Sequence, residues 1–75
     1  MTPSENDRVR TLVDVEADFS DAMIPAGTTG TVVECYASPE GYAVDLAVPD
    51  DSMVGGFRYQ NVVLRPGQFE LVREE

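Results

Sequence analysis

From Arg8 onward the chain alternates apolar and polar side chains in short runs. In Arg8-Val9-Arg10-Thr11-Leu12-Val13-Asp14-Val15-Glu16, the residues Val9, Thr11, Val13 and Val15 fall on one side of an extended backbone. Arg8, Arg10, Asp14 and Glu16, joined by Leu12, fall on the other. A period of two is the mark of a half-buried strand. The same reading predicts strands over Thr31–Tyr36, Tyr42–Val48, Phe57–Leu64 and Phe69–Val72. Within Tyr42–Val48 the large side chains Tyr42, Val44, Leu46 and Val48 share one face. No window carries an apolar stripe at the helical period; Asp14–Met23 comes nearest and does not line one face.

Turn residues separate these runs. Ala17–Ile24 reads as a polar, acidic loop, in which Phe19, Met23 and Ile24 are available to plug the end of a core. Pro25-Ala26-Gly27-Thr28-Thr29-Gly30 reads as a tight turn, with Pro25 at its second position and Gly27 supplying a positive φ. Ser38-Pro39-Glu40-Gly41 is a four-residue turn. Pro49-Asp50-Asp51-Ser52 and Gly55-Gly56 bracket the next connection. Arg65-Pro66-Gly67-Gln68 is a turn, or one turn of 3₁₀ helix, before the last strand. Residues 1–7 read as a flexible polar leader and residues 73–75 as a tail. Five short strands punctuated this way predict one all-β domain over residues 8–72.

Two local patterns sharpen that expectation. Gly27-Thr28-Thr29-Gly30-Thr31-Val32-Val33-Glu34 resembles the G-x-x-G-x-V signature of KOW-type and other SH3-like barrels. Tyr42-Ala43-Val44-Asp45-Leu46 resembles the strand that follows it, and Val62-Val63-Leu64 with Pro66–Val72 looks like the closing turn and strand. The resemblance spans about residues 8–72 and is closest to small bacterial SH3-like domains of unknown function. It implies a five-stranded SH3-like barrel, in which Gly27 and Gly30 serve the fold rather than a ligand. It also implies use as a docking piece on a larger assembly. The tryptophan and the aromatic-rich groove of polyproline-binding SH3 domains are missing.

At 75 residues this is one small domain. A chain of this size buries only ~60 % of its unfolded surface and has no room for a deep, dry reaction centre. There is no histidine, which removes the commonest general base and metal ligand. Cys35 is the only cysteine, so neither a thiolate metal site nor an intrachain disulfide is available. Gly27-x-x-Gly30 lacks the lysine and helix of a phosphate loop. Carboxylates cluster at Asp50-Asp51 and over Asp14–Asp21, but acid–base work needs a cleft that raises one pKa. The sequence therefore predicts no enzyme, no cofactor and no bound metal.

Charge turns this into an expectation about partners. Fourteen acidic residues against five arginines give a net charge of -9. That sign opposes nucleic-acid binding and anionic membrane surfaces. It favours a basic protein partner, or simple solubility. Asp14, Glu16, Asp18 and Asp21 read either as a solvated edge or as an acidic lip for such a partner; their spacing does not match a calcium loop. Met53-Val54, between Asp50-Asp51 and Gly55-Gly56, reads as an exposed apolar tip available for docking. Cys35 reads as a small buried hydrophobe. Tyr36, Tyr42, Phe57 and Tyr59 read as core and rim; gathered on one exposed face they would instead mark an interface. The single cysteine, the polar start and the absence of a long apolar run predict a cytoplasmic protein. The functional expectation is a non-catalytic protein-interaction or accessory module with an acidic surface. Its alternatives are an immunity or antitoxin-like protein masking a basic partner, a homo-oligomeric structural domain and, last, a KOW-like nucleic-acid binder.

Overall fold

The computed structural model describes residues 3–17 and 23–72. Its strands are β1 (Arg8–Thr11), β2 (Val15–Glu16), β3 (Met23–Ile24), β4 (Thr29–Ala37), β5 (Glu40–Pro49), β6 (Phe57–Leu64) and β7 (Phe69–Leu71). The all-β expectation holds, and no helix among the described residues is long and apolar enough to cross a membrane. One five-stranded antiparallel sheet runs in the order β6-β5-β4-β1-β7, and β2 pairs with β3 in a separate two-stranded sheet.

The run expected as one strand over residues 8–16 is two. β1 buries Val9 and Thr11, then the chain bends at Leu12-Val13 before β2 buries Val15. Val13, expected to face inward, is 42 % exposed because the bend interrupts the alternation. A buried hydroxyl holds this bend. Thr11 Oγ1 accepts from the Thr28 backbone N–H at 3.2 Å and donates to the Pro25 carbonyl at 3.3 Å. The Thr28 hydroxyl reaches the same carbonyl at 2.7 Å, and Thr11 N–H donates to Thr28 O at 2.8 Å. Pro25 thus opens the turn at its first position rather than its second, while Gly27 takes the expected positive φ, 93°.

β4 organises the large sheet. It begins two residues before the expected strand and pairs with β1 through Thr29–Thr31 and with β5 along its length. Gly30 lies opposite Val9 on one side and Leu46 on the other. A Cβ there would come within 2.5 Å of the Asp45 carbonyl oxygen and 2.9 Å of Leu46 Cδ2. The missing side chain lets Leu46 and Val44 settle on the backbone and complete the inner face. A bulge between Val32 and Glu34 then shifts the phase, so that Cys35 lies opposite Tyr42.

The core is the inner face of this sheet: Val9, Val32, Tyr42, Val44, Leu46, Val62, Leu64 and Phe69. Val15, Ala17 and Ile24 of the β2–β3 layer close it. Of the expected plugs, Ile24 is buried, Met23 is exposed and Phe19 lies outside the described residues. Among the described residues no ladder joins β6 to β7, so the sheet is open and the expected closed barrel is not formed. The short edge β1–β7 cannot reach round; the two-stranded layer covers the core instead. Before β7 the chain makes a turn, with Gln68 N–H donating to Arg65 O at 3.1 Å. Gly67 at φ 93° makes it a type II turn and not 3₁₀ helix. Part of the expected leader is tied down: Asn6 N–H donates to Val32 O and Val32 N–H to Asp7 O, continuing the β1–β4 ladder.

Two substitutions measure these constraints by chemical denaturation. Gly30→Ala overpacks the β4–β5 crossing and is expected to cost ~1–3 kcal/mol. Thr11→Val leaves the Thr28 N–H without its side-chain acceptor and is expected to cost ~1–3 kcal/mol.

Candidate docking face

The β5–β6 hairpin extends beyond the core it helps to build. Its register sets Phe57 opposite Pro49, Tyr59 opposite Ala47, Asn61 opposite Asp45 and Val63 opposite Ala43. Val62 and Leu64 point inward, so by strand alternation Phe57, Tyr59, Asn61 and Val63 share the outer face. Phe57 is half-exposed, Tyr59 is 71 % exposed and Val63 56 %. Asn61 Nδ2 donates to Asp45 Oδ1 at 2.8 Å and fixes the middle of the row.

Tyr36 of β4 extends this face, because it lies opposite Gly41, next to Ala43 on β5. A Cβ on Gly41 would lie 3.3 Å from Val63 Cγ1. With no side chain there, Tyr36 and Val63 flank a shallow groove of about 610 Å³, bounded further by Pro39, Arg65 and Gln68. Of the aromatics expected as core and rim, Tyr42 alone is buried; Tyr36, Phe57 and Tyr59 are exposed and lie on one sheet face. Exposed apolar residues gathered this way make the face a candidate docking surface.

Met53 and Val54 stand at the tip of the same hairpin, both exposed. The tip is bonded: Asp50 Oδ1 accepts from the Ser52 hydroxyl at 2.6 Å and from its N–H at 3.0 Å. Asp50 N–H donates to Gly56 O at 2.9 Å, and Gly55 and Gly56 both take positive φ. The Ser52 hydroxyl and N–H, with the Arg58 guanidinium at 3.6 Å, hold the Asp50 carboxyl below its ordinary range.

The acidic group is not assembled in the same way. Asp14 Oδ1 accepts the Ala26 N–H at 2.9 Å and serves the turn before β4. Glu16 is exposed on β2, and Asp18 and Asp21 lie outside the described residues. Asp14 and Glu16 therefore sit on a different element from Met53 and Val54. Other carboxylates are occupied locally: Glu34 on the Tyr36 hydroxyl, Glu40 on the Tyr42 hydroxyl and Glu70 on Arg10. From Ser52 to Phe69, which takes in the tip beyond Asp50-Asp51 and all of β6, the chain has no acidic residue and two arginines, Arg58 and Arg65. Among the described residues no three histidine, cysteine or carboxylate side chains are grouped to hold a metal ion.

Cys35, expected to be buried, is exposed. The bulge turns it to the Tyr42 side of the sheet, but at the far end of the hairpin the core has run out. Its thiol donates to the Pro3 carbonyl, at 3.7 Å. Tyr42 itself is buried against Phe69, ring edge to face at 5.5 Å. Its hydroxyl donates to Glu40 Oε2 at 2.5 Å, and this bond to a carboxylate, with burial, pushes its pKa up to about 12. Compared with known protein families, characterised proteins and solved structures, the chain shows no significant match to any of them.

The Tyr42 shift has a testable sign. The unfolded chain releases this proton near pH 10 and the folded one near 12. The contribution is complete below pH 10 and is lost as pH rises through 12. Unfolding titrations of the wild type should show stability falling across that window, with a shallower fall in Tyr42→Phe; equal slopes would contradict the assignment.

Proposed function

We propose that this chain is a non-catalytic protein-interaction module of SH3-like layout, and that it docks partners on the outer face of the β5–β6 hairpin. The observation that carries the reading is the exposed row Phe57, Tyr59 and Val63, with Tyr36 beside it on the same face. A small domain that leaves aromatic side chains together in water has a use for them. The SH3-like layout is supported by the strand order: the last strand pairs with the first, β1 pairs with β4, and β4, β5 and β6 follow as neighbours. The short β2–β3 hairpin then stands as an insertion after the first strand.

The partner is a protein. A net charge of -9 opposes nucleic acid and favours a partner with basic groups around an apolar centre. Aromatic anchors in the middle of such a contact would carry most of its energy, and the surrounding charge would set the rate of encounter. A single cysteine suits a reducing cytoplasm.

Site-specific photocrosslinking in the cells that make the protein separates this face from the acidic lip. Benzoylphenylalanine in place of Tyr59 should give a discrete adduct with another protein that survives raised salt and is weakened by Val63→Glu. The same probe in place of Glu16 should give none. Adducts from position 16 alone, lost in salt, would move docking to the acidic residues. No adduct with another protein from either position would overturn the docking reading.

A further inference from the structure

The two edges of the large sheet are unlike each other. β7 is three residues long and follows Pro66-Gly67, a protected edge. β6 is eight residues long, contains no proline and pairs with β5 without a register shift. Its partnered and free sides follow from one bond. Asp50 N–H donates to Gly56 O, so Asp50 and Gly56 form a hydrogen-bonded pair. Pairs along an antiparallel ladder alternate. Arg58, Gln60, Val62 and Leu64 therefore exchange backbone bonds with β5. Phe57, Tyr59, Asn61 and Val63 direct their N–H and C=O groups to the open edge, and among the described residues no strand meets them. Native edges are normally blunted by short length, proline, bulges or charge. Here the edge carries one charge, Arg58, which is already turned to Asp50.

We infer that β6 is a self-pairing edge, and that two copies of the chain join through it as an antiparallel, twofold dimer with one continuous sheet. Three observations choose a second copy over another partner. First, the edge is self-complementary. Centring the twofold on Gln60 sets Phe57 opposite Val63 of the second copy and Tyr59 opposite its Asn61, so all four residues with free backbone groups are used at once. Each of these pairs exchanges both backbone bonds. Shifting the centre to Tyr59 or Asn61 leaves an end residue unpaired. Second, side chains match on the outer face: aromatic Phe57 meets β-branched Val63, a favourable cross-strand combination. Third, the segment from Ser52 to Phe69 is free of acidic residues in a chain of net charge -9. Two edges can meet there without setting carboxylates against each other, whereas contact through other surfaces would. This inference concerns the strand edge and stands without the docking reading, which concerns the sheet face.

Sedimentation and light scattering across a dilution series provide the first test. The mass should move from one chain to two with concentration. Salt should favour the dimer, because it screens the like net charges outside the contact; an edge made for an acidic partner would show no such gain. Asn61→Lys should abolish the doubling while circular dichroism stays that of the wild type, since its side chain is on the surface, where a lysine can still meet Asp45, and among the described residues no strand meets its N–H. Asp51→Lys should leave the dimer intact. The second test reads the register. In a Cys35→Ser background, Gln60→Cys places two thiols across the twofold at a non-hydrogen-bonded pair and should give a covalent dimer rapidly under mild oxidation, whereas Met53→Cys should not. A single-chain mass at every concentration, or equal crosslinking from positions 60 and 53, would overturn the inference. A dimer whose Tyr59 probe gives adducts with a second copy and none with another protein would leave this inference standing and remove the docking reading.

Discussion

Backbone proximity at Gly30 is the constraint on which the rest of this molecule depends. Only there does one strand lie directly between β1 and β5 with no side chain of its own, opposite Val9 and Leu46. Leu46 and Val44 occupy the vacated space, and this closes the middle of the inner face. The neighbouring Thr11–Thr28 junction then turns the chain out of β1 and into the β2–β3 layer that covers the core. A side chain at position 30 would push β4 from β5, and with it the strand that carries β1 and, through β1, β7.

That arrangement makes the two sides of the sheet unequal. β1 and β7 have four and three residues, while β5 and β6 have ten and eight. At ~3.4 Å per residue the long pair outruns the short one by more than 10 Å. Among the described residues the covering layer supplies Val15, Ala17 and Ile24. The mismatch in length explains why the sheet stays open, since a three-residue edge offers nothing for β6 to pair with across the gap.

How much of this was legible in the sequence differs by element. The period of two placed the β5 core residues Tyr42, Val44 and Leu46 correctly, because every large side chain there lies on one face. It failed at Val13, because a bend held by the hydroxyl of Thr11 carries no apolar signature. The expectation of a buried Cys35 failed as well, since a bulge two residues earlier resets its facing and the thiol is exposed. On β6 the pattern was ambiguous: Phe57 and Tyr59 favour one face, Val62 and Leu64 the other, and alternation alone cannot say which is wet. Met53 and Val54 were legible as an exposed tip, since glycines and aspartates flank them. The row beside them was not, because exposure of Tyr59 depends on which face of β6 turns toward the core. Of the acidic group, Asp14 proved to belong to a turn, a role set by Ala26 twelve residues away.

Charge and shape divide the work on this surface. An open, apolar strand edge is ordinarily an aggregation hazard. Here the carboxylates lie on the other strands and connections, and the edge itself is nearly bare of charge. Long-range repulsion from a net -9 opposes indiscriminate contact between copies, while the acid-free strip permits contact in one place. Few arrangements satisfy both conditions. A face-on approach brings Glu34 and Asp45 of one copy toward those of another, whereas an edge-on approach through β6 presents Asn61 and aromatic rings. The negative balance thus acts as a filter on geometry: it opposes every encounter between copies, and the inferred edge-on one least, because no carboxylates on the facing strands are set against each other there.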